Sequence, residues 1–182
     1  MIIKKIILVS ISILFCTSLF SQTLSNNFEF DENQNIIWRT INNTELDFKS
    51  LVETIETSGY YDKINVGDDY VNCEFKPYQL DFVKYGHKYM TTPFYISRNL
   101  VSANIKFEFK EGRYRVTIRN ILFTQNANDA LSQQGEQHSF EWWVLNKKGK
   151  IRNSFFKPGS DILNKDFKIK TSFTTKKVDE NW

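Results

Sequence analysis

Cysteine, histidine, proline and glycine are all scarce in this 182-residue chain, with two Cys, two His, three Pro and seven Gly. Each shortage excludes something. Cys16 lies inside an apolar N-terminal stretch, which leaves Cys73 alone in the remainder. No disulfide can form within that remainder, so stability has to come from a packed core. There is no Cys-x-x-Cys and no His-Glu-x-x-His, and two distant histidines make a poor transition-metal site. The G-x-S-x-G elbow of serine hydrolases and the glycine-rich phosphate loop are missing too. Nothing in this inventory calls for a resident metal or cofactor. Low Pro and Gly, set against sixteen Phe, eight Tyr and four Trp, exclude a disordered low-complexity chain and favour strands.

What is present begins with a leader pattern. Residues 1–21, MIIKKIILVSISILFCTSLFS, have a positive head at Lys4 and Lys5, an apolar run to Phe20 and the small residue Ser21. This is the grammar of a secretory signal, expected to be removed just before Gln22. The run is interrupted by Ser10, Ser12, Thr17 and Ser18 and falls short of the about 20 apolar residues of a spanning helix. Bulky Phe15 before Cys16 argues against a lipid-anchored cysteine. The expectation is an exported protein, periplasmic or extracellular.

Charge is divided unevenly along the rest. Residues 22–81 hold twelve acidic and four basic side chains, and residues 82–182 hold nine acidic and eighteen basic. Such halves either face each other or point outward independently; a basic surface for a lipid headgroup or polyanionic glycan is the functional alternative.

Pattern predicts the elements. Phe28 to Phe30 and Ile36 to Ile41 flank the turn-forming DENQN and read as a hairpin. Asp31, Asn33 and Asn35 imitate the start of a calcium loop, but Ile36 stands where that loop needs Gly and Asn42 where it needs Glu. Phe48, Leu51, Val52 and Ile55 mark the apolar stripe of one helix over residues 45–58, with Thr44 as its expected cap and Gly59 as its stop. Tyr61 to Val66 and Tyr70 to Phe75 form a second hairpin that turns Cys73 inward. Pro77 then interrupts the ladder and the apolar phase shifts to Tyr78, Leu80 and Phe82. Residues 86–99 form an irregular connection whose rings Tyr89, Phe94 and Tyr95 are candidate binding residues, or else cover an open core edge.

The stretch NIKFEFKEGRYRVTIRN, residues 104–120, carries most of the information. A turn at Glu111-Gly112 sets Phe109 opposite Tyr114, Phe107 opposite Val116 and Ile105 opposite Ile118 on the side facing the helix. The same register sets Glu108 opposite Arg115 and Lys106 opposite Thr117. Lys106, Arg113, Arg115 and Arg119 are therefore left on the other side, as a wet face or as a binding surface. Residues 125–138 are polar and separate residues 22–124, the expected α+β domain, from an extension over 125–182 packed on or beside it. In that extension Phe140–Leu145 and Ile151–Phe156 read as a third hairpin, and Ser160 caps a short helix through Ile162, Leu163 and Phe167.

The opening hairpin FEFDENQNIIWRTI, the capped helix and above all IKFEFKEGRYRVTIRNILF resemble an exported Bacteroidetes family, domain of unknown function 4468, over roughly residues 27–124. The resemblance implies a fold like that of the TATA-binding protein: a two-layer α+β arrangement, an antiparallel sheet with a principal helix on one face. It implies no catalytic residues. The fold of a DNA-binding protein is not evidence of DNA binding, and export argues against nucleic acid. Two readings of function result. One is a noncatalytic module of the cell envelope whose basic sheet face meets an anionic component or another protein. The other is a hydrolase built on loop residues around His87 with nearby acids, His138 being the only other histidine.

Overall fold

The computed structural model describes residues 23–128 and 133–173; the expected leader and the last nine residues lie outside that range. Nine strands among the described residues make one antiparallel sheet: β1 Thr23–Ser25, β2 Phe28–Phe30, β3 Ile36–Asn43, β4 Tyr61–Val66, β5 Tyr70–Phe75, β6 Tyr78–Gln79, β7 Asn99–Lys110, β8 Arg113–Gln125 and β9 Gln137–Ser139. Their order is β1-β2-β3-β8-β7-β5-β4, with β6 added to β7 and β9 to β8.

The centre of the sheet follows the alternation in residues 104–120. Ile105 pairs with Ile118, Phe107 with Val116, Phe109 with Tyr114, and Glu108 with Arg115, so the expected register holds at every pair. Gly112, at φ +76, takes the left-handed conformation that closes the turn. A bulge follows further along β8. Asn120, at φ +49, absorbs an extra residue, and so both Ile118 and Ile121 point inward although three positions separate them.

Helix α1 is Phe48–Thr57. Asp47, not Thr44, is its cap: the Asp47 carboxylate accepts from Ser50 N at 2.8 Å, while the Thr44 hydroxyl is spent on Leu46 N, one turn early. Gly59 at φ +77 ends it as expected. Leu51 and Ile55 are fully buried against the inner face of the sheet. The DENQN turn is held by Asp31, whose Oδ1 accepts from Asn33 N and Asn35 N, which is turn chemistry and not a cation loop.

Two expectations about the C-terminal part are corrected. Phe140–Val144 is helix α3, not the first strand of a third hairpin, and only Leu145 bridges Ile151. Ser139 caps through Trp142 N, and tertiary packing buries both Phe140 and Val144, four apart, so helical spacing prevails over the apparent strand. Ser160 is no cap either; Gly159 precedes the helix, and the buried Ser160 hydroxyl donates to Phe156 O at 3.1 Å. The helix that follows is α4, Ser160–Thr171, and the irregular connection holds the five-residue α2, Phe94–Arg98.

Helix α4 lies across the same sheet face as α1. Phe167 meets the rings of Trp38 at 5.7 Å, Phe75 at 5.8 Å and Phe28 at 6.3 Å. Trp38 Nε1 donates to Asn164 Oδ1 at 3.0 Å, and the Tyr61 and Tyr114 hydroxyls donate to the carbonyls of Lys170 and Thr171 at 2.5 and 2.9 Å. The two tyrosine bonds satisfy carbonyls of the last turn, which have no partner inside the helix. Buried side chains of α1, α2, α3 and α4 join one apolar cluster on the inner face, so the architecture is two-layer α+β. Among the described residues no helix is long and apolar enough to cross a membrane.

Candidate functional site

With the helices on one side, the other face of the central strands is left to polar and charged groups. Pairing places Arg39, Ile41, Asn43 of β3, Arg113, Arg115, Thr117 and Arg119 of β8, Lys106, Glu108 and Asn104 of β7, and Asn72 and Glu74 of β5 on this outer face. All four basic residues singled out from the sequence, Lys106, Arg113, Arg115 and Arg119, are therefore together on it.

They line two grooves. The first, about 300 Å³, runs at the hairpin end past Ile41, Asp69, Glu108, Lys110, Arg113 and Arg115. The second, about 270 Å³, passes Lys63, Asn72, Glu74, Asn104, Lys106, Thr117 and Arg119. Ile41 is 61% exposed, an aliphatic side chain left in water amid charges. Sequence reading named the four cations but not the neutral groups beside them. Asn72 and Asn104 could have been found by extending the alternation of Tyr70–Phe75 and Asn99–Lys110, which sends every second residue outward.

Charge on this face is partly neutralised. Glu108 accepts two hydrogen bonds from the Arg115 guanidinium, both 2.9 Å, and a third contact from Lys106 Nζ at 3.3 Å. Those partners, Arg115 foremost, hold the Glu108 carboxyl below its ordinary pKa, and Glu108 in turn raises that of Arg115. Lys63 bonds Glu74 at 2.8 Å, and Arg39 bonds Glu29. Among the described residues no carboxylate pairs with Arg113 or Arg119. One such guanidinium stands in each groove.

The loop candidates separate. Tyr95, 4% exposed, is core: its ring packs edge-on to Phe123 at 5.1 Å and stacks on Trp143 at 5.9 Å. Tyr89 and Phe94 stay at the surface, 53% and 39% exposed, joined through Arg98, which bonds the Tyr89 hydroxyl at 3.1 Å and lies 3.9 Å over the Phe94 ring. They are remote in topology from the four cations, on the connection before β7.

His87 has a carboxylate within reach: its Nε2 is 3.3 Å from Asp161 Oδ2, at the start of α4. Asp161 is also bonded by Lys165 at 2.8 Å, and Lys165 first and then His87 lower its pKa. Among the described residues the His87 ring hydrogen-bonds Asp161 and makes no hydrogen bond to a hydroxyl or thiol that could serve as a nucleophile. His138 stacks on Trp142 at 4.1 Å and bonds Glu136 at 3.0 Å. Cys73 is buried on the inner face, its thiol pushed up to about 12 by burial, which keeps it protonated and unreactive. No three His, Cys, Asp or Glu side chains among the described residues converge to hold a metal ion.

No family model matches the sequence, and no curated protein does. Among solved structures, the chain is similar to the crystal structure of a DUF4468 family protein from Bacteroides ovatus, at 13% identity and a TM-score of 0.44, over 75% of this chain and 83% of that one.

Proposed function

We propose that the protein is an exported, noncatalytic binding module of the cell envelope that holds an anionic envelope component against the outer face of its sheet. One observation carries this reading: Lys106, Arg113, Arg115 and Arg119 share that face and line two adjacent grooves. A guanidinium without a carboxylate partner is the group best suited to a carboxylate or phosphate, because its planar fork donates two parallel hydrogen bonds. Glu108, already bonded by both Arg115 and Lys106, fixes the middle of the surface and leaves Arg113 and Arg119 to receive the partner.

The test is a triple substitution, Arg113→Ser, Arg115→Ser and Arg119→Ser. The expected outcome is loss of retention on envelope fractions, with unfolding free energy changed by no more than about 0.5 kcal/mol each for Arg113 and Arg119 and about 1 kcal/mol for Arg115, which gives up its Glu108 pair. Retention should also weaken as salt rises, since exposed charges are screened within about 10 Å at 0.1 M. Retention unchanged in the triple variant would remove the proposal.

A further inference from the structure

The second groove differs from the first in carrying neutral amides among its charges. Strand pairing arranges six outward side chains as two rows across β5, β7 and β8: Asn72, Lys106 and Thr117 in one, Glu74, Asn104 and Arg119 in the other. Neighbouring strands lie about 4.8 Å apart and alternate residues about 6.8 Å, so the grid spans roughly 10 by 7 Å. That footprint suits a sugar unit lying flat.

The chemistry of the grid is selective. Glu74 is neutralised by Lys63 at 2.8 Å and Lys106 contacts Glu108 at 3.3 Å, so the charge in this groove without a carboxylate partner among the described residues is that of Arg119. Asn72 and Asn104 are exposed, and among the described residues their side chains make no hydrogen bond. An amide offers donors and an acceptor side by side, matching a hydroxyl, which both donates and accepts hydrogen bonds. A bare phosphate or headgroup would be held chiefly by Arg119 and would leave the acceptor half of both amides unused. A neutral sugar would use the amides and leave the guanidinium unmatched.

We infer that this groove binds an acidic sugar unit, a uronate or a phosphorylated sugar. Arg119 takes the acid group, Asn72 and Asn104 the ring hydroxyls, and Lys106 adds to the local positive field. The inference rests on the anionic-partner reading of the same face and narrows it to one ligand chemistry.

Calorimetric titration of the protein with four probes tests it: tetragalacturonate, mannose 6-phosphate, maltotetraose and inorganic polyphosphate. At least one acidic sugar is expected to bind tenfold or more tightly than both maltotetraose and polyphosphate. Tetragalacturonate as the tighter ligand marks a uronate glycan as the source, and mannose 6-phosphate a phosphorylated sugar. The double variant Asn72→Ala, Asn104→Ala should weaken the acidic sugar at least fivefold while leaving polyphosphate within twofold. Asn104→Asp, close in size to the parent, should repel the acidic sugar through its added charge. Polyphosphate binding as tightly as both acidic sugars, or an unchanged double variant, overturns the inference while leaving a general anion-binding face. If no probe binds, the inference falls; if envelope retention also survives the triple arginine substitution, the broader proposal falls with it.

Discussion

Asp166, 1% exposed, sits beneath the sheet where a lone carboxylate would be costly. It is fully partnered. The Tyr78 hydroxyl donates to it at 2.5 Å, the Tyr85 hydroxyl at 2.9 Å and the Lys170 ammonium at 2.9 Å. Lys170 also lies 4.2 Å over the Tyr78 ring. Burial, and after it the negative charge of Asp166, pushes the Tyr78 hydroxyl well above its ordinary pKa, so it remains a donor at any physiological pH. Asp166→Ala would strand a mostly buried ammonium and two hydroxyls. The expected loss is about 3–5 kcal/mol by urea unfolding, against about 1 kcal/mol for Tyr85→Phe, which removes a single hydrogen bond. Equal losses for the two variants would show that the network is not centred on Asp166. Nothing in NKDFKIK marks this residue: a carboxylate among lysines reads as solvated helix surface, and only the tertiary placement of β6 and the connection after it supplies the tyrosines.

Elements were legible where local pattern and tertiary environment agree. The β7–β8 register could be read because alternation at period 2 and a Gly turn admit one pairing, and α1 because its apolar stripe needs one partner face. The outer cations could be located by the same alternation, since the residues not facing the helix have to face away. The C-terminal elements were harder. Phe140-Glu141-Trp142-Trp143-Val144 is apolar enough to suit either period, and the choice depended on Phe28 and Phe155 waiting at 5.6 and 5.5 Å for Phe140. Helix α4 could be seen as a helix, but not as the second cover of the sheet, because its contacts with β2, β3 and β5 span more than ninety positions of sequence. Its anchor is Phe167, fully buried among Phe28, Trp38 and Phe75. Phe167→Ala is expected to cost about 3–5 kcal/mol, whereas Ile169→Ala, on the exposed side of the same helix, stays within about 0.5 kcal/mol. Equilibrium denaturation of both variants reads the contrast, and similar losses would mean that α4 does not pack by its Phe167 face.

At the scale of the molecule, the two faces of the sheet divide the work. Among the described residues the inner face takes the buried apolar side chains of the helices, and so the outer face is free to carry polar groups that could not be buried without partners. The inner cluster runs from Phe28 to Phe173 and has no seam between the residues before and after 125: Phe28 meets Phe140, Phe155 and Phe167, and Tyr114 donates to Thr171 O while accepting from Phe173 N. A core shared in this way should unfold as a unit. Thermal melts followed by far-UV circular dichroism and by tryptophan fluorescence are expected to coincide in one transition, because Trp38 is buried against α4 while the strands dominate the dichroism. A chain ending at residue 158 would uncover Trp38, Phe75 and Tyr114, and is expected to lose that transition and bind the dye ANS, as a compact state without fixed packing does. Two separated transitions in the intact protein, or a cooperative melt in the shortened one, would show instead that the sheet and α1 hold together without α4 beneath them.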